Sequence, residues 1–494
     1  PKTKTRPPQT REKSPHATIT DRQKTSTINR TEFIRPQVME IKSLHLQNLG
    51  RFNDLEVNFA PTDDVHGNVT VFIGNNGAGK TSILKALATS LSWFVARLRN
   101  EKGSGSPIPE NVILNGQTSA MINLSLFDEQ GHSSNPDADI ADYTFHWVLA
   151  RTQTGKKAKF NSSLHDASRL ADYYRTRITE REKASLPLIA FYPVERVVLD
   201  VPLKIKERHS FLQLDGYDNS LNQGVDFRRF FEWFREREDS ENESGLSQDV
   251  LDKLLETLGD KNDVWQKLQS LVASSRDRQL TAVRTAISDF MPGFSNLRVR
   301  RKPRLHMSID KGEQTLNVLQ LSQGEKSLMA LVGDIARRLA MMNPGLENPL
   351  HGDGIIMIDE VDMHLHPTWQ RTIIARLTNT FPNCQFILTT HSPLVISDCK
   401  EVLIYSLDEG ELYKEPSQYG EDANTVLLNV MDTHIRNADI SQRLGTLRDF
   451  IEDGELAKAQ TLIEELERDL PTQHLELTKS KLLLNKERLR RANS

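Results

Sequence analysis

Val71-Phe72-Ile73-Gly74-Asn75-Asn76-Gly77-Ala78-Gly79-Lys80-Thr81-Ser82 decides how the rest of the chain is read. Three apolar residues predict a buried strand. Gly74 to Thr81 fits G-x-x-x-x-G-K-[ST], and Ile83, Leu84, Ala86 and Leu87 then follow a helical apolar pattern. Strand, glycine-rich turn and helix is the context a phosphate-cradling loop requires. The glycines let backbone N–H groups turn inward, and the helix N-terminus adds its positive end. Gly74, Asn75, Asn76, Gly77, Ala78, Gly79, Lys80, Thr81 and Ser82 are therefore the candidate nucleotide-binding residues. Lys80 is placed to reach the β- and γ-phosphates of ATP, and the Thr81 hydroxyl to ligate Mg²⁺.

The 494 residues suffice for two or three domains. Net charge is −4, so any contact with nucleic acid must be local. Cys384 and Cys399 are the only cysteines, which excludes a disulfide framework and fits a reducing cytoplasm. No apolar run is long enough to span a membrane, and no signal peptide is visible.

Residues 1–38 carry nine Lys or Arg and three Asp or Glu with little apolar periodicity, and are expected to be disordered. Residues 39–200 are expected to form a first ATPase lobe, with a β pair at 40–60, alternating strands at 121–127 and 143–149, and a buried strand at 186–192. Residues 201–295 read as a helical insertion. It includes helices at 226–238, 250–258, 264–272 and 280–290, and Phe227, Phe230, Phe231 and Phe234 form a core stripe. Residues 296–435 return to a second lobe. There Arg298, Arg300, Lys302 and Arg304 alternate, so one strand would point all four to one face. That pattern fits a strand edge blunted against aggregation or a contact with a phosphate backbone. A hairpin is expected near 403–405 and 411–414. Residues 436–494 read as a charged helical module suited to packing on itself or a partner.

Ile355-Ile356-Met357-Ile358-Asp359-Glu360 is an apolar strand ending in two acids. Asp359 is placed to hold Mg²⁺ opposite Thr81, and Glu360 to polarise an attacking water. Leu321-Ser322-Gln323-Gly324-Glu325 opens a helix earlier in the chain. Thr389-Thr390-His391-Ser392-Pro393 follows another strand. Together these motifs resemble the ABC ATPase superfamily, with Ser322, Gln323, Gly324 and Glu325 at the signature position. The resemblance implies an α/β ABC-type ATPase head in which the signature meets the γ-phosphate held by a second subunit, in a head-to-head dimer or a higher oligomer. It also implies that His391 is the switch histidine and that Asp362 lies in the loop facing the partner. Asn48 and Arg51 resemble the pair that opens RecF/SMC-type heads, where the basic residue approaches the nucleotide. One element departs: Glu195 and Arg196 stand where the family has a glutamine. His364 and His366 are read as interface or packing residues rather than as a metal pair.

The runs from Asp359 to Pro367 and from Gln385 to Pro393 resemble the OLD-like branch. Tyr419-Gly420-Glu421-Asp422-Ala423-Asn424-Thr425-Val426-Leu427, with Met431 and Arg436 beyond it, resembles the PtuA-type ATPases of Septu and retron anti-phage systems. That resemblance implies a separate HNH-type nuclease, PtuB-like, as partner, and in some systems a retron reverse transcriptase with its msDNA. No D-x-D cluster follows Asp408, so no nuclease activity is expected from this chain. The competing readings are a RecF-like repair ATPase that clamps DNA, and a transporter subunit, which the long gap between Lys80 and Ser322 disfavours.

Overall fold

A computed structural model describes residues 39–129, 143–181, 183–194, 211–222, 224–244, 276–431, 437–471 and 473–492. The expectations for residues 1–38, for helices at 250–258 and 264–272, and for Glu195, Arg196 and Arg436 lie outside the described residues. The strands are β1 (Met39–Leu49), β2 (Phe52–Asn58), β3 (Val69–Gly74), β4 (Ser119–Asp128), β5 (Thr144–Thr152), β6 (Leu188–Tyr192), β7 (Phe294–Arg300), β8 (His306–Lys311), β9 (Gln314–Asn317), β10 (Gly354–Ile358), β11 (Cys384–Thr389), β12 (Val402–Asp408) and β13 (Glu411–Glu415). The helices that position the site are α1 (Lys80–Arg99), α2 (His165–Glu180), α3 (Phe227–Ser244), α4 (Arg278–Phe290), α5 (Gln323–Met342) and α6 (Pro367–Thr380).

Six strands form one sheet in the order β13-β12-β3-β11-β10-β6. All neighbours but the β12–β13 pair run parallel. Strands β3, β6, β10 and β11 are predominantly apolar and buried along nearly their whole length, as a sheet covered on both faces requires. A second, antiparallel sheet has the order β2-β1-β4-β5. Gln385 of β11 joins the two. Its fully buried amide donates to the carbonyls of Ile41 at 2.9 Å and Ala60 at 2.7 Å, and its oxygen accepts from the Ile41 N–H at 2.8 Å. A side-chain amide that satisfies three backbone groups fixes β1 against the parallel sheet without leaving a buried polar group unpaired.

The hairpin expected near 403–414 is present as β12–β13, and β12 also lies beside β3 in the parallel sheet. That placement explains Gly74. Its φ is +135°, and a Cβ there would sit 2.3 Å from the Leu407 carbonyl of β12. The aromatic stripe of α3 is core: Phe227, Phe230, Phe231 and Phe234 are all buried. Phe230 packs on Gly333 of α5, where an added Cβ would come within 3.0 Å of the ring.

The four alternating cations do not share one strand. β7 ends at Arg300, and a bulge between Ser295 and Arg298 shifts its register against β8. Lys302 and Arg304 sit in the exposed connection beyond it. Pro303 stands between them; it has no N–H to donate to a ladder, and the alternation in sequence continues past the point where the strand stops.

Two polar clusters are buried. Asp334 of α5 accepts from Arg337 at 2.6 Å, Arg338 at 2.7 Å and the Tyr192 hydroxyl at 3.0 Å. Arg338 also donates to the carbonyls of Gly216 and Asp218. A carboxylate with two guanidinium partners stays ionised although it is fully buried, and it ties α5 to the end of β6. The second cluster holds Asp353 beside Asp128, which accepts from the Tyr174 hydroxyl at 2.6 Å. Burial, then the neighbouring Asp128 charge, pushes the Asp353 carboxyl up from 3.8 to about 7. Between those values the folded chain holds a proton that the unfolded chain releases, so this group's contribution to stability is lost as pH rises from about 4 to about 7. Asp353→Asn is therefore expected to raise the unfolding midpoint more at about pH 8 than at about pH 5. Urea melts of both proteins at the two pH values measure this; an equal shift at both would contradict it.

Candidate nucleotide site

The parallel register brings three strand ends level. Leu388 pairs with Ile358 and with Val71, and Thr389 pairs with Phe72. The residues just past β3, β10 and β11 therefore meet at one edge of the sheet, the carboxyl-end crevice where open α/β sheets bind ligands. An open cleft of about 400 Å³ lies there, lined by Gly50, Arg51, residues 76–82, Asp359, Glu360 and His391.

The P-loop takes its shape from positive-φ glycines, Gly74, Gly77 and Gly79. At Gly79, φ is +115° and a Cβ would lie 2.4 Å from the ring of Phe52, so only glycine fits. Helix α1 starts at Lys80 with no acid in its first turn. Its N-terminal N–H groups and dipole thus face the cleft without an internal anion to satisfy them. Lys80 is nearly buried. Its Nζ donates to the carbonyls of Gly74 at 2.7 Å and Asn75 at 3.1 Å. Burial pulls the ammonium below its usual range, against the charges of Asp359, Glu360 and Asp362, which pull it back.

Asp359 is buried and held from several sides. Its Oδ2 accepts from the Thr81 hydroxyl at 2.8 Å, its Oδ1 from the Thr389 hydroxyl at 2.6 Å, and its own N–H donates to the Tyr192 carbonyl at 2.9 Å. Thr389 Oγ1 also accepts the Glu360 N–H at 2.7 Å. Glu360 has φ +47°, a strained value for a side chain of that size, and the Thr389 hydroxyl helps hold it. Asp362 Oδ1 accepts from the Thr390 hydroxyl at 2.6 Å and from the His391 N–H at 3.3 Å.

The cleft thus gathers Arg51, Asn76, Gly77, Ala78, Gly79, Lys80, Thr81, Ser82, Asp359, Glu360 and His391. Gly74 and Asn75 hold the Lys80 ammonium from behind. Asp362 lies one hydrogen bond from His391. Asn48 is buried, and its amide donates to the Ser119 carbonyl, so it shapes the turn that presents Arg51. Ser322, Gln323, Gly324 and Glu325 do not line this cleft. They open α5 as a capping box: Glu325 Oε2 accepts the Ser322 N–H at 2.8 Å, and Ser322 Oγ accepts the Glu325 N–H at 3.3 Å. Gly324 lies against the His364 carbonyl, where a Cβ would come within 2.4 Å. His366 caps α6, its Nδ1 accepting the Thr368 N–H at 3.3 Å.

Thr389 and Thr390 received no role from the sequence. The signal was present, since two hydroxyls end an otherwise apolar strand. Their partners, however, are 28 to 30 positions away in sequence.

The residues fit a nucleoside triphosphate with a divalent cation. Two hard oxygen donors, Thr81 Oγ1 and Asp359 Oδ2, face each other beside an ammonium and a helix N-terminus, a set that suits Mg²⁺ and phosphate oxygens. Fold and site together define a P-loop ATPase of the ABC type.

Comparison with known proteins narrows the class. The family model described as "AAA domain, putative AbiEii toxin, Type IV TA system" matches residues 69–397. The "Retron Ec83 probable ATPase" of Escherichia coli is 34% identical over 430 residues, covering 80% of this chain and 76% of that one. The "Retron Vc95 probable ATPase" of Vibrio cholerae serotype O1 biovar El Tor is 31% identical over 436 residues, covering 82% and 81%. The "Septu protein PtuA" of Bacillus thuringiensis is 25% identical over 380 residues, covering 75% and 77%. The chain belongs to the family of these retron ATPases. No helix among the described residues is long and apolar enough to cross a membrane.

Thr389→Val removes the hydroxyl that serves both the buried Asp359 carboxylate and the half-buried Glu360 N–H, taking one hydrogen bond from each. ATP turnover is expected to fall by about 10- to 100-fold and stability by about 1–3 kcal/mol, with Thr389→Ser recovering most of both. Steady-state ATPase assays and urea melts on the two variants check this.

Proposed function

We propose that this chain binds ATP with Mg²⁺ in the cleft between the P-loop and the strand β10 terminus, and that turnover requires a second copy. The convergence of Lys80, Thr81, Asp359, Glu360 and His391 on one cleft carries the reading. Thr81 and Asp359 hold the Mg²⁺, which when bound supplies positive charge to the phosphate oxygens. Lys80 donates to those oxygens, and the α1 N-terminus adds its N–H groups. Glu360 accepts a proton from the attacking water, and His391 contacts the terminal phosphate. Arg51, exposed at the mouth of the cleft, offers a further cation to the bound nucleotide.

Ser322 to Glu325 lie outside the cleft of their own chain. A head-to-head dimer, alone or within a higher oligomer, gives this exposed helix start a role at the partner's phosphate, with Asp362 beside the same interface. Turnover in such a dimer controls a separate HNH-type nuclease of a cytoplasmic anti-phage system, in some settings together with a retron reverse transcriptase and its msDNA. The family membership supports the defence context, and residues 437–492 offer a helical module for docking.

Lys80→Ala is expected to abolish ATP binding. Glu360→Gln is expected to keep binding but to lower turnover by about 10²–10⁴-fold, because only the base for water is lost, and to accumulate an ATP-bound dimer. Fluorescent-nucleotide titration, phosphate release and light scattering after size exclusion read the three effects. Normal turnover by Glu360→Gln would overturn the assignment of the base. Cleavage by the copurified nuclease that ignores both ATP and Glu360→Gln would overturn the control of the nuclease.

A further inference from the structure

We infer that the end of β7 and its connection to β8 form a nucleic-acid phosphate-backbone site made by Arg298, Arg300, Lys302 and Arg304. Residues 298–306 read Arg-Val-Arg-Arg-Lys-Pro-Arg-Leu-His, five cations and no acid in a chain whose net charge is −4. Residues 300–304 are all exposed. Protection of a strand edge accounts only for Arg298 and Arg300, which lie on β7. Lys302 and Arg304 project from the connection, where there is no edge to protect.

Among the described residues, no neighbouring acid forms an ion pair with these four side chains. Asp239 of α3 pairs with Arg301. Glu238 is taken by Arg284 and by the Val299 N–H. Asp310 feels the Arg298 and Arg300 charges, but its carboxylate accepts from Asn296 and Thr315. Among the described residues, Arg298 and Arg300 donate to the neutral side-chain oxygens of Asn296 and Ser308. The side chains of Lys302 and Arg304 have no partner among the described residues. Exposed to solvent, they are free to meet an anion, and the hairpin that carries them is held by Glu238 of α3, which accepts the Val299 N–H, and by Arg284 of α4, which donates to the Leu297 carbonyl.

Three of the four cations are arginine, whose planar fork matches phosphate oxygens in pairs. No large apolar side chain is exposed among residues 298–306, so a membrane surface would find charge but no apolar wedge to insert. Such contacts carry no base specificity; they hold a strand in place by releasing counterions. The site stands apart from the ATP cleft and does not depend on the nuclease partnership.

The experiment uses the full chain with fluorescein-labelled single-stranded and duplex DNA of mixed sequence, at salt concentrations from about 50 to 200 mM. Binding should weaken steeply with salt, with a log–log slope of about 0.7 to 0.9 per phosphate contacted. Arg300→Ala/Lys302→Ala/Arg304→Ala should lose at least about tenfold in affinity and about two to three from that slope, with basal ATPase rate unchanged. Arg300→Lys/Arg304→Lys should keep the slope. Steeper loss on one DNA form identifies which form the hairpin holds. Undiminished affinity in the triple alanine variant, or no binding at the lowest salt, would overturn the assignment. So would binding of phosphatidylserine vesicles, but not DNA, that the triple variant abolishes.

Discussion

The parallel pairing of β10, β11 and β3 is the constraint on which the rest depends. Evenly spaced, slanted hydrogen bonds set one register across the three strands, and that register places Gly74, Ile358 and Thr389 at one edge. Every polar residue just beyond the strands is then delivered to the same cleft. The elements around the sheet serve that alignment. Gln385 fixes the antiparallel sheet, so that the β1–β2 turn brings Arg51 to the P-loop. β12 flanks β3 closely enough that Gly74 can be nothing larger. The Asp334 cluster holds α5 to Tyr192, whose carbonyl receives the Asp359 N–H.

Much of this was legible in the sequence because it rests on local rules. A strand, a glycine turn and a helix within 17 residues specify the P-loop without any distant contact, and an apolar run ending in Asp359-Glu360 specifies a strand whose acids emerge at its end. The capping pattern from Ser322 to Glu325 marks the α5 start, and the aromatic spacing in α3 marks a core face. These features depend on periodicity, backbone conformation and helix-end chemistry, which neighbouring residues decide.

The rest depends on pairings between distant residues. Thr389 matters because the register sets its hydroxyl between Asp359 and the Glu360 N–H, 29 to 30 positions upstream. Asn48 turned out to brace a turn because Ser119 lies beside it. The four cations alternate in sequence through Arg304, yet the strand stops at Arg300: a period of two predicts a shared face only while the ladder lasts. Asp353 gave no sign of its raised pKa, because both burial and the Asp128 charge come from the packed tertiary structure.

The signature and the cleft are separate in space but contiguous in packing. Gly324 touches the His364 carbonyl so closely that a single methyl would not fit. His364, at φ +64°, belongs to the turn that begins at Asp359 and includes Asp362. Asp362 accepts from Thr390 and from the His391 N–H, and His391 lines the cleft. The start of α5 therefore reaches the cleft histidine through one tight backbone contact and two hydrogen bonds to one carboxylate oxygen. Position 324 has no room for a side chain against the His364 carbonyl, and one Asp362 oxygen serves both Thr390 and His391. Gly324 is thus the point at which the α5 start meets the turn of its own nucleotide site.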